Sequence, residues 1–257
     1  MISSSSNQQI KNIEKIKKSA RERRKQGLYI VEGIRMFSEI PLESLDSCYV
    51  TEDFYNDNQS LFAGKQYELV SESVFKAISD TETPQGVLAL VKMKDRTVDS
   101  LISGEKTPLL VILENLQDPG NLGTILRTAE AAGATGIIMS KDTVDIYNPK
   151  VVRATMGSIF RVPFAIADDI YETMGELKNA GIRLYAAHLK GRDFYEYDLR
   201  SASAFMIGNE GNGLTEKATT MADHLIKIPM CGNVESLNAA TATTVIAYEA
   251  LRQRISG

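Results

Sequence analysis

PLLVILEN (108–115) is an uninterrupted apolar run that closes on a carboxylate and a carboxamide. A strand with one face in water alternates apolar and polar residues. A run without alternation belongs to a strand buried on both faces, the situation of a parallel sheet covered by helices. TGIIMS (135–140) is another such run, and further strands are expected at RVPFAI (161–166), IRLYAAHL (182–189), AFMIGNE (204–210) and HLIKIPM (224–230). Helical stretches are expected between them at 120–132, 148–158, 169–179 and 215–221, and after them from an N-cap at Ser236 to Arg254. The last helix has an apolar face built from Leu237, Ala240, Val245, Ala247 and Leu251. Strands alternating with helices predict an α/β domain with a mostly parallel sheet, assigned to 108–257.

The preceding segment reads differently. Residues 1–10, rich in Ser, Asn and Gln, are expected to form a disordered tail. Ile10, Ile13 and Ile16 follow at helical spacing, and Gly27 ends that element. Short strands are expected at LYIVEG (28–33), CYVTE (48–52), YELVS (67–71) and GVLALVKM (86–93), with helices at 33–39 and 72–79. These pieces make a small α/β domain over 11–95, and the charged, turn-rich stretch that follows supplies a linker at 96–107.

Net charge is −4, which by itself argues against a polyanionic partner. Its distribution argues the other way. Residues 11–25 carry a local charge of +6 and the rest of the chain −10. A solvated helix face explains most charge runs, but eight cations over four turns leave little neutral surface. RNA therefore enters as a partner, with Lys17, Lys18, Arg21, Arg23, Arg24 and Lys25 as candidate contacts. No apolar run approaches the ~18 residues of a membrane span, and the N-terminus lacks the apolar centre of a secretory signal, so a cytoplasmic protein is expected. Cys48 and Cys231 lie far apart and outside any CxxC spacing, so neither a disulfide framework nor a metal site is expected.

The sequence has no GxxxxGK[ST], no GxGxxG after a strand, no GxSxG and no HExxH. Its two histidines, His188 and His224, fall inside expected strands. Glycine and carboxamides gather at strand ends instead, in Asn115–Gly133, Phe205–Leu214 and Ile228–Arg254. Each is a strand feeding through a backbone-rich loop into a helix N-terminus, where α/β proteins place ligands. In the first, Pro119 and Gly120 turn the chain, Asn121 is a candidate cap, and Thr124, Arg127 and Thr128 share a helical face. An arginine among small alanines suits close approach to phosphate or ribose. In the second, Gly208, Gly211 and Gly213 let backbone pass close to a ligand, and Glu210 is equally suited to binding loop N–H groups or to catalysis. In the third, capping explains Ser236 but explains Asn238 less well, and Cys231 reads as a small apolar filler.

These stretches, in this order, resemble the SpoU/TrmH family of RNA 2′-O-ribose methyltransferases, within the SPOUT superfamily. NLQDPGNLGTILRTAEAAG (115–133), IGNEGNGL (207–214) and IPMCGNVESLNAATA (228–242) are similar to its three motifs, and NPKVVRATMGSIFRVP (148–163) to the segment between the first two. KSARERRKQGLYIVEGIRMFSEI (18–40) resembles the family's small substrate-binding domain, itself like ribosomal protein L30e. The resemblance implies a SPOUT-type α/β domain with a deep trefoil knot, a homodimer, and methyl transfer from S-adenosylmethionine to a ribose 2′-hydroxyl. The expected substrate is ribosomal RNA, the large-subunit RNA in particular. Transfer RNA methylation and non-catalytic RNA binding on the same scaffold are the alternatives. By motif position it implies Gly208, Ile228, Met230, Leu237 and Asn238 at the cofactor. Arg127, Asn115, Glu210, Ser236 and Asn238 are the implied catalytic polar set, and no metal is implied.

Overall fold

The structure, a computed structural model, describes residues 1–94 and 96–256. The chain divides into two compact units: Met1–Lys94 with Asp145–Phe160, and Asp95–Val144 with Arg161–Gly257.

In the first unit, α1 (Gln8–Lys18) and α2 (Ala20–Gln26) precede β1 (Leu28–Glu32), α3 (Ile34–Ser38), β2 (Leu45–Thr51), α4 (Glu52–Asp57), β3 (Glu68–Val70), α5 (Glu72–Ile78) and β4 (Val87–Lys92). The four strands lie in the order β1-β4-β2-β3, antiparallel except for β2 with β3. Ile10, Ile13 and Ile16 are fully buried with Phe75, Ile78 and Leu88, as their spacing requires. The expected tail at 1–10 is a correction. Ile2 pairs with Val70 beside β3, and the Asn7 side chain caps α1 by accepting the Gln9 N–H. Composition missed this because one apolar residue and one cap suffice to anchor a short polar segment.

The second unit begins with α6 (Val98–Ile102), β5 (Leu109–Leu113), α7 (Pro119–Ala131) and β6 (Gly136–Met139). The chain then returns to the first unit, where Asp145 receives two hydrogen bonds from Arg23 and the Tyr147 ring lies 4.7 Å from that of Tyr29. The helix expected over 148–158 is there broken into α8 (Pro149–Ala154) and α9 (Ser158–Arg161), because Met156 and Gly157 take φ of 49° and 94°. Back in the second unit come β7 (Phe164–Ile166), α10 (Ile170–Asn179), β8 (Arg183–Asp193), β9 (Ser203–Ile207), α11 (Glu216–Met221), β10 (His224–Lys227) and α12 (Ala239–Ser256). The strand expected over 161–166 starts only at Phe164, after Pro163, which has no N–H to donate.

The six strands run in the order β10-β8-β9-β5-β6-β7, and every neighbouring pair is parallel. β5 and β9 are buried at every position, as two-sided cover demands. Side chains alternate between faces. Leu110, Ile112, Leu184 and Met206 pack with Leu101 of α6, Met174 and Leu177 of α10 and Ala218 of α11. α7 and α12 pack on each other and on β6 and β9, burying Leu122, Ile125, Leu126, Ile246, Ala247 and Ala250. The three glycine- and carboxamide-rich loops all leave the C-terminal ends of strands, which parallel pairing places on one edge of the sheet.

Candidate functional site

The loops after β5 and β9 are held by an exchange of carboxylates. Glu210, on the β9 loop, accepts the backbone N–H groups of Gln117 (3.0 Å) and Asp118 (2.8 Å) and the side-chain amide of Asn121 (3.0 Å) on the β5 loop and α7. Glu114, at the end of β5, is 1% exposed. It accepts the N–H (2.8 Å) and hydroxyl (2.7 Å) of Thr215 beyond the β9 loop, and the Tyr171 hydroxyl (2.9 Å). Burial alone would raise the Glu210 pKa, but the donors from Asn121, Gln117 and Asp118 outweigh it and hold the carboxyl below its ordinary value. Of the two roles the sequence left open for Glu210, binding of loop N–H groups is the one its geometry displays.

Asn115 sits at φ 57°, a left-handed conformation that carboxamides tolerate. Its N–H and side-chain oxygen both bond the Ser140 hydroxyl, and its carbonyl accepts from the Asn209 side chain. It thereby fixes the turn out of β5. Asn209 in turn receives the N–H groups of Gly211 and Asn212, closing the β9 loop on itself. A Cβ at Gly208 would fall 2.1 Å from the Gly213 carbonyl carbon and 2.2 Å from the Leu214 nitrogen, so only glycine fits.

The third stretch joins through Asn238. Its side-chain N–H donates to Asn121 Oδ1 at 2.9 Å, and its Oδ1 accepts the N–H groups of Ala240 and Thr241. Asn238, not Ser236, therefore caps α12, and the helix starts two residues later than expected. Asn121, expected as a cap, is bridged by Glu210 on one side and Asn238 on the other, while the Asp118 carboxylate caps α7 by accepting the Asn121 N–H. A carboxamide both donates and accepts, which is why a line of two can link a carboxylate to a helix start. Asn121 is the site residue that cap-based reading underrated; its position between a turn and an arginine was the available signal. Further along, the hydroxyls of Thr128 on α7 and Thr244 on α12 meet at 2.8 Å.

Beside this network lies a cavity of about 470 Å³, within the ~300–1,000 Å³ usual for small-molecule sites. Gly208, Ile228, Met230 and Leu237, four of the five expected cofactor residues, all line it. The expected strand to Met230 stops at Lys227, which frees Ile228 and Met230 to face the cavity. Ser236 and Glu210 also line it; Asn238 instead stands in the bridge to Asn121. An apolar, backbone-rich wall whose β9 loop leaves no room for a Cβ suits an adenosine held by main-chain groups. Arg127 is exposed on α7, and its guanidinium has no hydrogen bond or ion pair among the described residues.

In the first unit the candidate RNA cations divide. Arg23 is 4% exposed; it is bound to Asp145 and donates to the carbonyls of Ile16 and Lys17, so it is a structural cation and a correction to the expected set. Lys17 donates to the Ala77 and Ser79 carbonyls at the end of α5. Lys18, Arg21, Arg24 and Lys25 are exposed, as are Lys11 and Lys15. Among the described residues no group of His, Cys, Asp or Glu is placed to hold a metal, and no helix is long and apolar enough to cross a membrane.

Comparison with known proteins places this geometry. Residues 108–248 match the SpoU rRNA Methylase family, and residues 7–89 match the MRM3-like substrate binding domain. The chain is 30% identical over 249 residues to the 23S rRNA (guanosine(2553)-2′-O)-methyltransferase RlmP of Bacillus subtilis, covering 96% of this chain and 97% of that protein. It is 36% identical over 199 residues to the 23S rRNA (uridine(2479)-2′-O)-methyltransferase of Streptomyces viridochromogenes, covering 75% of this chain and 69% of that one. The crystal structure of the SpoU methyltransferase AviRb from Streptomyces viridochromogenes, in complex with AdoMet, superposes with a TM-score of 0.87 at 30% identity, over 98% of this chain and 99% of its own. A family match spanning more than half of the chain, reached again by whole-length relatives, leaves one assignment: the chain belongs to the SpoU rRNA methylase family.

Proposed function

We propose that this protein transfers a methyl group from S-adenosylmethionine to a ribose 2′-hydroxyl of 23S ribosomal RNA. The observation that carries the reading is the interlock of three strand-end loops, through Glu210, Asn121 and Asn238, along a cavity lined by Gly208, Ile228, Met230 and Leu237. Curated relatives that align along most of the chain are named as 23S rRNA 2′-O-methyltransferases, which favours ribosomal over transfer RNA.

The cofactor, when bound, supplies a methyl already activated on a sulfonium. What remains for the chain is to exclude water, orient the hydroxyl and favour its ionised form. Arg127 is the exposed cation on the helix that the interlock holds. A guanidinium is always protonated near neutral pH, so Arg127 acts by charge and position, on the hydroxyl or on the neighbouring phosphate, and does not take the proton. Glu210, committed to three donors, is a positioning residue. Ser236 on the cavity wall is placed to contact substrate, while Asn115 and Asn238 hold the loops in register. The first unit serves as the RNA-recognition module, with its exposed cations on the phosphates. The trefoil knot and homodimer of the family belong to the same proposal, as does a cytoplasmic site of action. The exposed Tyr248 and Ile255 of α12 supply apolar surface for the dimer. The test is Arg127→Ala. Methyl transfer should fall at least about 10²-fold, with S-adenosylmethionine affinity within about twofold of wild type by calorimetry. Wild-type turnover in that variant would refute the role.

A further inference from the structure

We infer that Glu114 is a positioning residue of the cofactor cavity: it holds both feet of the β9 loop and so sets how that loop closes; this rests on the cofactor assignment proposed above. Every residue of 208–214 lines the cavity, as does Ile207 before them. The loop leaves Ile207 at the end of β9 and lands on Thr215, which caps α11 by accepting the Ala218 N–H. Glu114 meets both ends. Its N–H donates to the Ile207 carbonyl at 2.9 Å, and its carboxylate accepts the Thr215 N–H at 2.8 Å and the Thr215 hydroxyl at 2.7 Å. Between the feet the loop folds onto itself. Asn209 and Gly213 exchange backbone hydrogen bonds of 3.0 and 2.9 Å, and the place of a Cβ on Gly208 is already filled by the backbone of Gly213 and Leu214. The placement of the feet therefore governs how Gly208 lies against Gly213 and Leu214, the main-chain surface that the cavity offers to an adenosine.

Glu210 ties the middle of the same loop to the β5 loop and touches neither foot, so the two carboxylates have separate tasks. Glu114 is 1% exposed, and its third donor is the Tyr171 hydroxyl at 2.9 Å. Tyr171 is held in turn: its hydroxyl lies 3.2 Å from that of Thr215, and the Lys217 ammonium sits 3.8 Å from the centre of its ring. Among the described residues no cation pairs with Glu114; all of its side-chain partners are neutral donors. A buried carboxylate without a cation is costly, and for stability alone an uncharged residue of the same shape can serve as well. What the carboxylate adds is three charge-assisted hydrogen bonds converging on two oxygens, shorter and stronger than neutral ones. A glutamine of the same shape has one acceptor oxygen for three donors, and turns an N–H toward either the Thr215 N–H or the two hydroxyls. The carboxylate at this point thus serves the closure of the loop.

Calorimetry on the full chain with S-adenosylmethionine and S-adenosylhomocysteine tests this, at a temperature where circular dichroism shows each variant folded. Glu114→Gln should weaken both ligands alike, by at least about fivefold in Kd. The loss should fall on the cofactor KM, with kcat reduced less than about threefold, and amide exchange across 208–214 should quicken. Thr215→Val, which removes the hydroxyl and leaves Glu114 in place, should show the same pattern. Thr215→Ser, which keeps the hydroxyl, should bind within about twofold of wild type. Arg254→Ala is the control for lost stability as such: it frees the far end of α12 and should leave both affinities within about twofold. Wild-type affinity in Glu114→Gln and Thr215→Val, whatever their Tm, overturns the inference, and so does an equal loss of affinity in Arg254→Ala. A wild type that binds neither ligand overturns the cofactor assignment itself, and this inference with it.

Discussion

Glu210 illustrates how much one side chain can organise. Its carboxylate gathers two backbone N–H groups and one amide from the neighbouring loop, and its pKa lies below the ordinary value although partial desolvation acts to raise it. A carboxyl with a depressed folded pKa contributes stability that is complete above its unfolded pKa and is lost as pH falls through the folded value. Glu210→Gln should therefore lower Tm by about 2–4 °C at pH 7, with the difference closing below about pH 4. Differential scanning calorimetry from pH 3 to 7 measures it; a gap that persists in acid would contradict the charged role. Asn238 and Asn121 belong to the same scale. Sequence reading placed both in the right loops but exchanged their duties with Ser236 and Asp118. Ser, Asp and Asn are near-equal caps, so local preference could not choose among neighbours. The choice is made by Glu210, which is distant in sequence and near in space.

Among the elements, α12 is moored along its whole length: by Asn238 to Asn121 at its start, by Thr244 to Thr128 in its first turns, and by Arg254 near its end. Arg254 donates to the carbonyls of Leu199, Thr107, Pro108 and Ser201 and to the Ser203 hydroxyl, and burial lowers its pKa. Arg254→Ala leaves those acceptors without their shared donor. It should cost about 2–4 kcal/mol in denaturant unfolding, with faster hydrogen exchange in α12 and in Thr107–Leu109; unchanged exchange would show that the clasp is dispensable. Elements were the scale most legible from sequence. Continuous apolar runs marked β5 and β9, and Ile10, Ile13 and Ile16 marked α1. What escaped were departures set by three-dimensional constraint: the kink at Met156–Gly157, the early end of β10 at Lys227, and the register shift by which Leu225 pairs with Ala186 and Ile226 with Arg192. The apolar face assigned to α12 also shifts, to Ala240, Thr243, Ile246, Ala247 and Ala250. Small and hydroxylated residues suffice where another helix packs closely, and no hydropathy pattern announces them.

For the molecule as a whole, charge asymmetry was legible, but its division into structural and free cations was not. Arg23 and Lys17 look like their neighbours in sequence, yet one is buried against Asp145 and the other ends α5. Replacing Lys11, Lys15, Arg21 and Arg24 by Gln should weaken RNA binding. The slope of log K against log salt should become shallower by about 0.7–0.9 for each phosphate left without its cation. Arg23→Gln should instead unfold the first unit at lower denaturant, because it leaves Asp145 without its buried partner. Fluorescence binding titrations over a salt series separate the two; an unaltered slope in the fourfold variant would remove the first unit's helices from the RNA interface. The central claim, that the three interlocked loops direct methyl transfer to a ribose 2′-hydroxyl of 23S rRNA, is tested most directly by where the methyl goes. Unmodified 23S rRNA is incubated with the protein and methyl-labelled S-adenosylmethionine, then hydrolysed with alkali. Label retained at a single alkali-resistant phosphodiester is the expected result; label on a base, or none transferred, would contradict it.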